Sequence, residues 1–193
     1  MSLVSPFAVV GTAIGLVRAV PQLARLLRTR DAHGVSVDSA ATSSIVSAAW
    51  TTYGVLTGQG AVAVASGSSA VMFALVALAA LRFGRRVGEM RAAPVWLVVL
   101  AGAGLLGGAR GLGLLLPVSV LVANGPQLLV ALRERDLSGL SPGTWLLSVL
   151  EALAWGTYGL FAGDRSILVY GTLHLATSGA IVALRLAKSR RGP

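Results

Sequence analysis

The chain has 193 residues, 55% of them hydrophobic and 12% charged, with a mean hydropathy of +0.79. That is too apolar for a water-soluble domain of this size and places it in a bilayer. Sixteen Lys and Arg against seven Asp and Glu give a net charge of +9, and there is no Cys, which excludes disulfides, thiol catalysis and thiolate metal sites together. The basic residues sit in short clusters between apolar stretches rather than on one face, so they read as charge at membrane ends and not as a nucleic-acid surface. Two His cannot build a metal site unaided.

The spans follow from the uncharged runs, since a crossing helix needs about 20 apolar residues. The first run reaches residue 17 and continues past Arg18 to Leu27, one helix; it has no basic residue ahead of it, so it is kept as a span rather than a cleaved signal. Residues 39–81 carry no charge, about 64 Å of helix, which is twice a hydrocarbon core. The run must therefore turn back, and Gly58-Gln59-Gly60 is the turn. Residues 92–109 and 111–132 give one span each, 137–161 gives another with the single charge Glu151, and 166–184 gives the last. With seven spans, thirteen basic residues fall at one side's ends and only Arg110 and Arg165 at the other. The amino terminus is thus expected outside and the carboxyl terminus in the cytoplasm, in a plasma membrane.

The chain also repeats itself. A gapless offset of 105 residues aligns 16–58 with 121–163 and pairs Pro21-Gln22 with Pro126-Gln127. It pairs Arg28-x-Arg30-Asp31 with Arg133-x-Arg135-Asp136, and Trp50-x-Thr52-Tyr53-Gly54 with Trp155-x-Thr157-Tyr158-Gly159. Apolar composition cannot align three such signatures. Each unit holds three spans, an odd number, so the 92–109 helix must reverse the chain between them and leave two parallel repeats. The expected fold is an all-α integral membrane protein of seven transmembrane helices arranged three plus one plus three. The expected divisions are a first triple-helix bundle over 1–84, a linker helix over 92–109, a second bundle over 110–187 and a tail over 188–193.

Pro-Gln near the end of a first helix, an Arg-x-Arg-Asp-x-x-Gly-x-Ser loop and a Trp-x-x-Tyr-Gly end to the second helix resemble the PQ-loop (MtN3/saliva) superfamily, specifically the SWEET and SemiSWEET sugar transporters. The resemblance covers nearly the whole chain. It implies a membrane transporter that moves a small polar solute, a mono- or disaccharide first, by facilitative alternating access.

Pro21 and Pro126 each remove a helix hydrogen bond at equivalent depth, giving either a static kink or, as the resemblance implies, a hinge that includes Gln22 and Gln127. Trp50 and Trp155 lie three residues before Tyr53 and Tyr158, on one helix face. They are either interfacial aromatics or, as the resemblance implies, paired indoles for stacking on a sugar. The family places an Asn twelve residues after the Tyr-Gly glycine. Here Ser66 and Gly171 stand at those positions, and Asn124 offers an amide from another helix. The resemblance also implies an outer gate of Tyr53, Tyr158 and Asp164, with Gln59 at the first-repeat position of Asp164. Glu151 and His174 are the titratable pair inside the spans, a proton or polar site or else groups satisfied between helices.

Three function classes remain open: the sugar uniporter, a proton-coupled carrier of amino acids or other small solutes, and a non-transporting receptor or scaffold. A retinal protein needs a Lys within a helix, and Lys188 at the inner end is the chain's one Lys. No nucleophile, base and orienter share a spacing, so an enzyme is not expected. The implied partners are a small-molecule solute and the lipid bilayer, with no cofactor, no metal and no nucleic acid. Assembly into a homo-oligomer is an open option.

Overall fold

A computed structural model of the chain describes residues 5–33, 35–134, 137 and 142–189. Gly34, Arg135, Asp136, Gly139, Ser141 and the tail from Arg190 lie outside the described residues, as do the side chains of Arg18 and Pro126. Seven α-helices follow one another: α1 (Ser5–Thr29), α2 (Val37–Leu56), α3 (Gly60–Arg82), α4 (Ala92–Leu115), α5 (Ser119–Arg133), α6 (Pro142–Ala162) and α7 (Arg165–Ser189). Short 3-10 turns at Val87–Glu89 and Leu116–Val118 flank α4.

Five helical stretches are long and apolar enough to cross a membrane: Pro6–Thr29, Gly60–Arg82, Ala92–Gly125, Gly143–Ala162 and Arg165–Ser189. α2 falls short because seven of its twenty residues are Ser or Thr. The Ala92–Gly125 stretch holds two limbs. Gly108 has φ 54° and ψ −138°, which no helix tolerates. A Cβ on Gly111 would strike the Ala103 carbonyl, and one on Gly104 would touch the Leu112 side chain at 3.7 Å. Residues eight apart in a straight helix stand about 12 Å apart, so the chain folds back at Gly108. The uncharged run ends at Ala109, one residue later, and Arg110 follows the turn. Much of the helical surface is apolar and open, with Leu105 87% and Leu106 93% exposed, the pattern of a multi-pass protein whose solvent is lipid.

The helices form two compact units, Thr12–Leu116 and Met1–Gly11 with Pro117–Pro193. In the first, α3 and α4 pack on α2. A core of Leu26, Ala32, Val35, Val37, Ala40, Val76 and Ala80 closes one end, with Phe83 and Met90 against it. In the other, α7 contacts both α5 and α6, and Ala131, Leu137 and Ile181 bury the equivalent end beneath Trp145.

The duplication is visible bond by bond. After α2 the amide of Gly58 (φ 72°) donates to the Val55 carbonyl at 3.2 Å and that of Gln59 to the Gly54 carbonyl at 2.7 Å. After α6 the amide of Gly163 (φ 69°) donates to Leu160 at 3.3 Å and that of Asp164 to Gly159 at 2.9 Å. Both turns are the paired bonds that stop a helix at a left-handed glycine. The helix that follows leaves at a close approach each time. A Cβ on Gly54 would sit 2.7 Å from the Ala63 amide nitrogen, and one on Gly159 would strike that of Leu168.

Candidate functional site

In the first unit, Trp50 and Tyr53 are both buried on α2, their rings 5.5 Å apart at 86°. One helical turn separates them, so the indole and the phenol edge share a face. Ser66 is half-buried on α3. Pro21 lies inside α1, where it and Gln22 are exposed. The outward half of this hairpin turn is polar, Gln59 Nε2 donating to Thr57 Oγ1 at 3.2 Å.

The other unit repeats the aromatic pair: Trp155 and Tyr158 on α6 lie 5.6 Å apart at 65°. Tyr158 is buried and Trp155 half-buried. The indole rests on the helix backbone of α1 at Gly11, where a Cβ would come within 2.7 Å of Nε1 and Cε2. Asp164 accepts from the Ile167 amide at 3.0 Å, capping the start of α7. The residue expected at the outer gate is therefore also the cap of α7, and Gln59 makes no side-chain cap for α3.

Gly171 is buried against α6, where a Cβ would strike the backbone of Gly156. No side chain fits there, so α7 offers no polar group at the position where the resemblance expects an amide. Asn124 on α5 is buried, and its Nδ2 donates to Thr177 Oγ1 at 2.9 Å and to Ser178 Oγ at 3.4 Å on α7. Pro126 lies inside α5, two residues on, and Gln127 is half-buried. His174 on α7 is 4% exposed, with its ring 5.6 Å from that of Tyr170. Glu151 is half-buried on α6, one helical turn before Trp155. Among the described residues no cluster of His, Asp and Glu could hold a metal.

Sequence reasoning missed Thr177 and Ser178. Their signal was present: Tyr170, His174, Thr177 and Ser178 recur at three- and four-residue spacing along α7. It also missed Asp38, whose carboxylate accepts from the amides of Ala92 at 3.0 Å and Ala93 at 2.9 Å, because the partners lie more than fifty residues away.

No protein-family model matches the chain. It is 31% identical over 65 residues to a SemiSWEET sugar transporter of Bradyrhizobium diazoefficiens, an alignment that covers 34% of this chain and 76% of that protein. A relative so short is about the length of one repeat. The fold is similar to that of a eukaryotic SWEET transporter, with a TM-score of 0.77 at 17% identity over 98% of this chain and all of the other.

Proposed function

The chain belongs to the SemiSWEET and SWEET family of sugar transporters, and from that premise we propose that it carries a mono- or disaccharide across the membrane by facilitative alternating access. The observation that carries this reading is the duplicated hairpin. Each unit ends its second helix with the same indole–phenol pair and the same left-handed glycine turn. An indole gives a sugar an apolar face for its C–H surface and an N–H for a hydroxyl.

In this reading Trp50 and Trp155 contact the sugar, Ser66 and Asn124 lie near it, and Tyr53, Tyr158 and Asp164 close the outer side, whereas Gly171, packed on the Gly156 backbone, opens no space for it. Pro21 with Gln22 and Pro126 with Gln127 are the hinges, residues 1–84 and 110–187 the moving bundles, and 92–109 the linker. The protein sits in the plasma membrane with its amino terminus outside.

Counterflow of labelled glucose and sucrose in proteoliposomes, with a panel of neutral amino acids, tests the proposal. Sugar exchange that the Trp50→Ala/Trp155→Ala variant loses supports it. Exchange of none of the solutes by the parent would refute it and favour a receptor or scaffold. The proton-coupled alternative has an observation of its own, a half-buried Glu151 and a buried His174 in one bundle. Under facilitative transport, Glu151→Gln leaves the rate at acid and neutral pH unchanged. Loss of acid stimulation in that variant would move the protein to the coupled branch.

A further inference from the structure

The helix that opens the second repeat is tied to its neighbour by polar groups at two levels. Asn124 Nδ2 of α5 donates to Thr177 Oγ1 (2.9 Å) and Ser178 Oγ (3.4 Å) of α7, all three residues buried. Thr177 Oγ1 in turn donates to the Leu173 carbonyl at 2.9 Å, so its lone pairs stay turned to the amide. Beyond Pro126, Lys188 Nζ of α7 donates to the carbonyls of Ala131 (2.8 Å), Leu132 (3.3 Å) and Glu134 (2.5 Å). Those are carbonyls that a helix end leaves without partners. The two ties bracket Pro126, the residue at which α5 lacks a backbone donor and bends most readily.

The first repeat lacks the residues for the upper tie. At the positions of Asn124, Thr177 and Ser178 stand Ala19, Met72 and Phe73, whose side chains cannot form these bonds, while at the lower end Phe83 replaces Lys188 and Arg85 Nε makes one bond instead, to the Ala32 carbonyl past α1 at 3.2 Å. Two prolines at equivalent depth thus sit in helices held by different forces.

We propose that Asn124 and Lys188 brace α5 against α7 across Pro126, so that the second bundle moves as a stiff body and bending at Pro21 supplies most of the transport motion. Asn124 is then a positioning residue that acts through α5, and the inference rests on the transport reading above.

The test compares amide hydrogen exchange across α5 with sugar counterflow in the full chain. Asn124→Ala and Lys188→Met each raise exchange in α5 by at least about threefold, the factor expected for losing a single interhelical hydrogen bond in a membrane. Both lower the maximal sugar exchange rate and leave KM unchanged, whereas Thr177→Ser, which keeps the hydroxyl, matches the parent and Thr177→Val does not. Grafting the upper tie into the first repeat with Ala19→Asn/Met72→Thr/Phe73→Ser slows exchange of sugar. Unchanged α5 protection in Asn124→Ala overturns the brace, and so does a raised KM at constant rate, which would make the amide a sugar contact. A parent that moves no sugar defeats the transport reading instead, and the α5 protection, measured without sugar, still decides whether the brace exists.

Discussion

Gly171 shows what a single residue can and cannot disclose before its neighbours are known. In the sequence it is a place where a family amide is missing. In the structure the backbone of Gly156 occupies the space where its Cβ would be, so the glycine is required by the α6–α7 contact. The relation is not reciprocal, since a Cβ on Gly156 would meet Gly171 at 3.7 Å, ordinary contact. Nor is it repeated, for the first-repeat counterpart is Ser66, which carries a side chain, and a Cβ on the neighbouring Gly67 would find only the Thr51 side chain at 3.6 Å. Gly171→Ala is therefore expected to destabilise the protein by about 1–3 kcal/mol, the usual cost of overpacking. Gly67→Ala should leave stability nearly as it is. Thermal unfolding of the two variants in detergent checks the contrast.

At the scale of the element, the end of α2 was legible in the Gly58-Gln59-Gly60 turn, and the repeat offset carries the same end to Gly163. Gly58 and Gly163 each follow a run of good span residues, and both adopt positive φ. The reversal at Gly108 was harder to place, because glycines recur at 102, 104, 107, 108, 111 and 113 and composition cannot say which one leaves the helical region. The start of α4 at residue 92 was legible from the uncharged run, but what caps it was not. Asp38 stands just ahead of the uncharged run that begins at Ser39, and it caps α4 across 54 positions of sequence. Burial raises its pKa, but the amides of Ala92, Ala93 and Arg91 and the Arg91 charge outweigh that and hold it below the ordinary 3.8. A lowered carboxyl pKa adds stability that is complete above the ordinary value and lost as pH falls through the folded one. Asp38→Asn should then unfold at lower temperature than the parent at neutral pH, by an amount worth about 0.3–1 kcal/mol for a negative charge at a helix start. The gap should close as the pH is taken below about 4. A gap that persists as the pH is taken well below that value would show that the charge is not what Asp38 contributes.

For the whole molecule, the imbalance of basic residues predicts the orientation, and the absence of Cys makes that prediction easy to test. Single substitutions Arg165→Cys and Arg86→Cys place one thiol in each of two exposed turns. With the amino terminus outside, a membrane-impermeant maleimide added to intact cells labels Arg165→Cys and leaves Arg86→Cys unlabelled until the cells are opened. The reverse pattern would invert the topology.

By itself the sequence determined the seven helices, their pairing into two repeats and the helix that separates them. Those properties depend on local composition: apolar length against bilayer thickness, glycine at turns, and signatures repeated at one offset. Only the tertiary structure decided which polar groups are already in use. Asp164 caps α7, Asp38 caps α4, Asn124 bonds to Thr177 and Ser178, and Lys188 closes the end of α5. The physical reason is that a polar side chain within an apolar bundle must find a partner, and the partner comes from whichever helix packs beside it, at a sequence distance that no local pattern records.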